Sequence, residues 1–262
     1  MRVLILGEPK SGTTALFQSV VDHLGTPEVR FEPEDLRTED LAPPTLVVKK
    51  LMTSFQFGEA DLFDRFDLRL LLVRDPRDRL VSSLLFDISG RNVTVRTAFI
   101  DNFVQLLREK EADPRSTPLI KLLDAYFHAT RIDLLSAFAR SNHRHLQVLH
   151  NFADRFQLVR YEDMVRDGMA RLGGQFGMPG LAEPVITGDL TRVQRNQTSG
   201  DWRHWCGHAD LWVLRPMCTN LLDALGYAVD WDLAEQPTID PATASAYVLD
   251  LIERRRLELT GE

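Results

Sequence analysis

Val3-Leu4-Ile5-Leu6-Gly7-Glu8-Pro9-Lys10-Ser11-Gly12-Thr13-Thr14 is the stretch whose reading decides the fold of this chain. Four consecutive apolar residues stopping at a glycine describe a strand buried on both faces, the habit of strands in parallel sheets. Beyond the turn, Thr13 to Leu24 puts Leu16, Val20, Val21 and Leu24 on one helical stripe, and Gly25 and Pro27 end it. Strand, glycine-bearing turn and helix in that order leave unpaired N–H groups and the positive end of the helix dipole at the turn. Glycine lets the backbone close on what sits there. Anion binding is expected from this segment alone.

Outward from it the pattern repeats. Thr45 to Lys49 and Leu68 to Val73 read as further strands, with a short helix between them over Glu59 to Phe66. Asp75-Pro76 supplies an N-cap and a proline at the first helical position, so a helix is predicted from Pro76 to about Ile88. From Val95 to Arg140 the apolar spacing is helical, with breaks at Asp113-Pro114 and Thr117-Pro118, which predicts two or three helices. A strand over Phe156 to Val159, a helix over Tyr161 to Phe176, a loop from Gly177 to His204, and helices over Leu211 to Leu225 and Thr243 to Leu257 complete the reading. Alternating strands and helices predict an α/β fold, a central parallel sheet covered on both faces in three layers.

The 262 residues carry 44% hydrophobic and 26% charged side chains, the balance of an ordinary globular chain, and the length suits a single domain. No apolar run approaches the roughly 18 residues of a membrane span. The short apolar start is read as a strand rather than a signal peptide, which makes the expected location cytoplasmic. A net charge of −7 argues against a general nucleic-acid surface, while a small anionic ligand needs only a local cationic pocket. Cys206 and Cys218 make neither a disulfide framework nor a metal cluster and are expected to be buried thiols. Lysine occurs only at positions 10, 49, 50, 110 and 121, against a large excess of arginine.

Gly7 to Thr14 has the spacing of a Walker A loop, but Thr13 stands where that loop has its lysine, and the lysine is Lys10, inside the turn. In this form Pro9-Lys10-Ser11-Gly12-Thr13-Thr14 resembles the 5′-phosphosulfate loop of sulfotransferases that use 3′-phosphoadenosine-5′-phosphosulfate (PAPS). The resemblance implies a P-loop-like sulfotransferase fold over residues 1–262. Its cofactor core would lie at about 1–90 and 155–205, an acceptor-side helical region at about 92–150, and C-terminal helices at 207–258. It further implies that Lys10 faces the bridging oxygen of the donor, while Pro9, Ser11, Gly12, Thr13 and Thr14 hold the 5′-phosphate. Adenosine 3′,5′-bisphosphate (PAP) would be the product, and no metal takes part. The logic is that of phosphoryl transfer, where positioning and charge stabilisation dominate.

Arg74-Asp75-Pro76-Arg77-Asp78-Arg79-Leu80-Val81-Ser82 joins a strand end to a capped helix, and ligands gather at such carboxyl edges. Sulfotransferases carry an arginine and a serine at this separation in their 3′-phosphate site, which assigns those roles to Arg74 and Ser82. Arg77, Asp78 and Arg79 read as a solvated, mutually paired face. Arg195-Asn196-Gln197-Thr198-Ser199-Gly200-Asp201-Trp202 is similar to the family's C-terminal motif and brings in Arg195 and Gly200, although Asn196 and Gln197 replace its usual Lys-Gly. Trp202 serves either that loop's closure or its anchoring. Tyr161, in Tyr161-Glu162-Asp163, matches a tyrosine that commonly approaches the adenine; Ala15 stands where many relatives have a second adenine neighbour, a tryptophan.

The acceptor must lose a proton, which calls for a histidine or carboxylate. The stretch Val47-Val48-Lys49-Lys50-Leu51-Met52 lacks the histidine that small-molecule sulfotransferases have there. Other branches use a glutamate some twenty residues past the loop. Glu32 stands at that distance, with Glu34 in reserve, and Lys49 or Lys50 is placed to orient the donor or pair with the glutamate. His143, His145 and His150 read as a solvated loop rather than a metal site. The expected activity is sulfuryl transfer to a hydroxyl or amine of a small molecule, lipid or saccharide. An atypical small-molecule kinase and an inactive nucleotide-binding partner protein stand as alternatives, and the oligomeric state, a homodimer included, stays open.

Overall fold

A computed structural model describes residues 1–90, 94, 96–185, 188 and 198–260. In chain order the elements are β1 (Arg2–Gly7), α1 (Thr13–Leu24), β2 (Glu28–Phe31), β3 (Leu46–Leu51), β4 (Leu68–Val73), α2 (Pro76–Asp87), α3 (Thr97–Ala112), α4 (Leu119–Thr130) and α5 (Leu134–Phe152). They continue as β5 (Gln157–Arg160), α6 (Tyr161–Asp167), α7 (Met169–Gln175), α8 (Trp202–Trp205), α9 (His208–Ala224) and α10 (Ser245–Thr260). The strands form one parallel sheet in the order β2-β3-β1-β4-β5. The fold is therefore mixed α/β, with a parallel sheet flanked by helices, as the apolar runs predict, and a fifth strand, β2, that they do not announce.

The chain divides into two compact units, the first comprising residues 1–74 and 143–193 and the second 75–142 and 194–262. The whole sheet belongs to the first. There Leu16, Phe17 and Val20 of α1 pack with Val3, Ile5 and Leu70 on one face of the sheet, alongside Met164 of α6 and Leu172 of α7. Each side chain so buried contributes about 1.5–3 kcal/mol. The alternate residues Leu4, Leu6, Val48, Leu71 and Val73 are buried too, which is why these strands show no polar alternation. The second unit has a separate core in which Leu84 of α2, Phe103 of α3, Tyr126 of α4, Trp202 of α8, Leu214 of α9 and Val248 of α10 meet.

Several expectations are corrected. The helix predicted over Tyr161 to Phe176 is two helices, because Gly168 adopts φ 77° and turns the chain between them. The helix predicted after β3 is a 3-10 helix over Phe57–Arg65. His143, His145 and His150 lie on α5, with His145 buried, rather than in a solvated loop. Arg77, Asp78 and Arg79 are buried, not a solvated face. The chain before Glu32 contains β2, an edge strand whose mostly exposed residues carry no apolar run for sequence reading to detect.

Sheet order places the site. The path from β1 runs first to one side, through β2 and β3, then to the other through β4 and β5. The carboxyl end of β1 is thus a topological switch point, where open α/β sheets collect their ligands.

Candidate active site

Each of the five strands delivers a residue to this carboxyl edge. The register pairs Gly7 with Leu51 and Leu72, Phe31 with Lys49, and Val73 with Arg160, so the segments leaving the strands start at similar heights. They are the 8–12 turn after β1, Glu32 after β2, Lys49 and Lys50 at the end of β3, Arg74 after β4 and Tyr161 after β5.

In the turn, the Ser11 hydroxyl and N–H both donate to the Glu8 carbonyl, at 2.6 and 3.3 Å, closing a tight loop over half-buried Pro9. Lys10 takes a left-handed conformation, φ 65°. Gly12 is the residue preceding α1, at φ 91°, and a Cβ there would lie 2.6 Å from the Tyr161 ring. Backbone angle and neighbour both demand glycine. Thr13 and Thr14 open α1 and are buried, and the first N–H groups of the helix have no intrahelical acceptor, which suits an anion.

Arg74 is 6% exposed. Its Nη1 donates to the Lys10 carbonyl at 3.0 Å, and its guanidinium lies over the Tyr161 ring, 4.3 Å from the centroid. Its Nε and Nη2 are buried with no hydrogen-bond partner among the described residues. Leaving such donors unpaired is costly, more so for a cation, and together they form the planar edge that grips a phosphate bidentately. An anion with two oxygens in one plane, a phosphate among them, fits this arrangement.

Glu32 also has a left-handed backbone, φ 53°. Its carboxylate is paired with the ammonium of Lys49, a side chain only 2% exposed that donates as well to the Thr14 hydroxyl at 2.8 Å and lies 4.1 Å from the Phe31 ring centroid. Lys49 thus ties the predicted base to the start of α1. Lys50 does something else. Its ammonium donates to the carbonyls of Pro33 and Glu34, at 2.9 and 2.5 Å, and pairs with buried Glu59 at 3.0 Å. Glu59 also accepts the N–H groups of Leu36 and Gln56. Lys50 therefore secures the segment that carries Glu32, while Glu34 offers the buried chain its carbonyl and keeps an exposed side chain.

In the second unit, Ser82 is buried on α2. The N–H of Gly200 is donated to Asp78 at 2.6 Å, and that of Trp202 to the same carboxylate at 2.8 Å. Trp202 is anchored in the core beneath the Arg77 guanidinium, 4.0 Å from its ring centroid, and Arg77 chelates Asp75. Arg79 donates to Ser141 and Asn142. Arg195 lies outside the described residues.

No family model matches this sequence, and no curated relative matches it. Among solved structures, mouse sulfotransferase SULT7A1 complexed with PAP is similar over 87% of this chain and 89% of that one, with a TM-score of 0.50 and 14% identity. The fold is that of a sulfotransferase.

Within this sulfotransferase fold, the structure gathers Lys10, Ser11, Gly12, Thr13, Thr14, Arg74, Tyr161 and Glu32 at one sheet edge, with Ser82 and Gly200 in the other unit. Sequence reading placed Lys49 and Lys50 nearby without separating their tasks. The separation depends on Glu59, which nothing in its local sequence marks out. No helix among the described residues is long and apolar enough to cross a membrane, and no cluster among them could hold a metal ion.

Proposed function

We propose that this chain transfers the sulfuryl group of PAPS, by in-line displacement, to a hydroxyl or amine of a small-molecule, lipid or saccharide acceptor. The observation that carries the reading is Arg74: a buried arginine, tied through one nitrogen to the backbone of Lys10, whose Nε and Nη2 have no partners among the described residues and lie beside the turn that precedes α1. A nucleotide with a second phosphate on its ribose supplies what both cradles ask for.

PAPS provides the activated sulfuryl group. The N–H groups at the start of α1, with Ser11, Thr13 and Thr14, bind and orient its 5′-phosphate, and Pro9 and Gly12 shape the turn that does so. Lys10 sets an ammonium against the negative charge that grows on the leaving oxygen. Arg74 reads the 3′-phosphate, and Ser82, Arg195 and Gly200 join it in this reading through their motifs. Glu32, oriented by Lys49, accepts the acceptor proton at a carboxylate oxygen. Residues at about 92–150, which lack family motifs, form the acceptor side.

The test is a titration of PAP against ATP with Mg²⁺, followed by an acceptor screen with labelled PAPS and mass detection. Tighter PAP binding and a sulfated product, lost about tenfold or more in Glu32→Gln, are expected. Preference for ATP with Mg²⁺ would replace this reading with a kinase, and PAP binding without turnover on any acceptor would leave a binding protein.

A further inference from the structure

Tyr161 matches a position whose tyrosine commonly approaches the adenine in sulfotransferases, yet its surroundings here describe a different task. The residue opens α6 directly after β5 and is 9% exposed. One face of its ring carries the Arg74 guanidinium, 4.3 Å from the centroid. Its edge fills the space where a side chain on Gly12 would stand, 2.6 Å from Cδ2. The ring is thus held between the phosphate turn and the arginine.

Lying over a π-face restrains a guanidinium against the ring, and the hydrogen bond from Nη1 to the Lys10 carbonyl restrains its rotation. Two restraints fix an orientation. What remains is the edge formed by Nε and Nη2, whose hydrogens are parallel, buried and without partners among the described residues. We infer that Tyr161 is a positioning residue that acts through Arg74, presenting the Nε–Nη2 edge to the 3′-phosphate. This inference rests on the donor reading above and names how that site reads its second phosphate.

The two tasks leave different signatures. An adenine contact serves PAP and adenosine 5′-monophosphate (AMP) alike, because both carry the base, whereas a residue acting through Arg74 serves only the nucleotide with a 3′-phosphate. Calorimetric titration of PAP and AMP is made on wild type, Tyr161→Phe, Tyr161→Met, Arg74→Ala and the Tyr161→Met/Arg74→Ala double variant, with circular dichroism to establish folding. Tyr161→Phe keeps the ring and is expected to retain the wild-type preference for PAP. Tyr161→Met fills similar volume without a π-face, and is expected to weaken PAP about tenfold and AMP less than about twofold. In the Arg74→Ala background the methionine is expected to cost PAP nothing further, since the residue it acts through is gone. Equal losses for PAP and AMP, or an undiminished loss in the double variant, would overturn the inference. Should the methionine variant not fold, Tyr161→Leu takes its place in the same cycle. A wild type that shows no preference for PAP over AMP overturns the donor reading and this inference with it. A wild type that prefers PAP, paired with a Tyr161→Met variant that prefers it equally, overturns this inference alone.

Discussion

Lys10, Glu32 and Arg131 are the non-glycine residues with positive φ among the described part of the chain, and the first two are those expected to do chemistry. A left-handed conformation costs an L-residue about 1–2 kcal/mol, and it persists where the surroundings enforce it. At Lys10 the enforcement is visible: the same peptide that adopts φ 65° offers its carbonyl to Arg74. Backbone strain and side-chain chemistry can be separated by substitution. Lys10→Ala removes the ammonium and keeps the strain, while Lys10→Gly removes both. Both variants are expected to lose transfer activity about tenfold or more, and the glycine variant to be more stable than the alanine variant by about 1 kcal/mol in urea unfolding. Equal stabilities would mean that the turn relaxes, and undiminished turnover would remove Lys10 from the chemistry.

At the scale of elements, what could be read in the sequence followed the strength of the local signal. β1, β4 and α1 announce themselves by apolar runs, a stripe and glycine stops, and α2 by Asp75 accepting the N–H of Arg77 ahead of Pro76. β2 carries no such signal: it is four residues long, mostly exposed, and exists because β3 offers it an edge. The first turn of α2 misled for the opposite reason. Arg77, Asp78 and Arg79 have the look of a solvated run, but each meets a partner far along the chain and is buried. Asp78, 1% exposed, accepts two backbone N–H groups from Gly200 and Trp202 and so fastens that turn to α2. Asp78→Asn keeps the shape, removes the charge and sets an amide N–H₂ where a carboxylate oxygen was. It is expected to lower stability by about 1.5–3 kcal/mol, read as a lower denaturant midpoint. An unchanged midpoint would show that the carboxylate holds nothing.

For the molecule as a whole, buried ionisable groups of the second unit make stability depend on pH in the alkaline range. Burial pushes the Cys218 thiol up to about 12 and the Cys206 thiol higher still, and Tyr126 is raised in the same way. Burial pulls Lys110 down to about 8, partly opposed by Asp210. Above about pH 9 the unfolded chain releases its thiol protons while the folded chain keeps them, so the folded state binds more protons and stability falls as pH rises. Lys110 works in the other direction. Between about pH 8 and 10.4 the unfolded chain holds the lysine proton that the folded chain has lost, and stability rises. Two thiols, joined toward pH 10 by Tyr126, outweigh one amine, so stability declines on balance between roughly pH 9 and 10. Thermal unfolding across that interval is expected to show a falling Tm in the wild type and a clearly shallower fall, or none, in Cys206→Ala/Cys218→Ala. The same slope in both proteins would refute this account.

The amino-acid order by itself determined the α/β class, the glycine-bearing turn between β1 and α1 with Lys10 inside it, and most of the strands and helices. Each is written within a dozen residues, as an apolar run, a stripe, a cap or a glycine. Tertiary structure alone decided the strand order, the division into two units, the different tasks of Lys49 and Lys50, and the seating of Arg74 on Tyr161. These depend on which surfaces meet across the fold. Lys10 and Arg74 touch over 64 positions and Asp78 and Gly200 over 122, separations at which no local pattern of side chains specifies a partner.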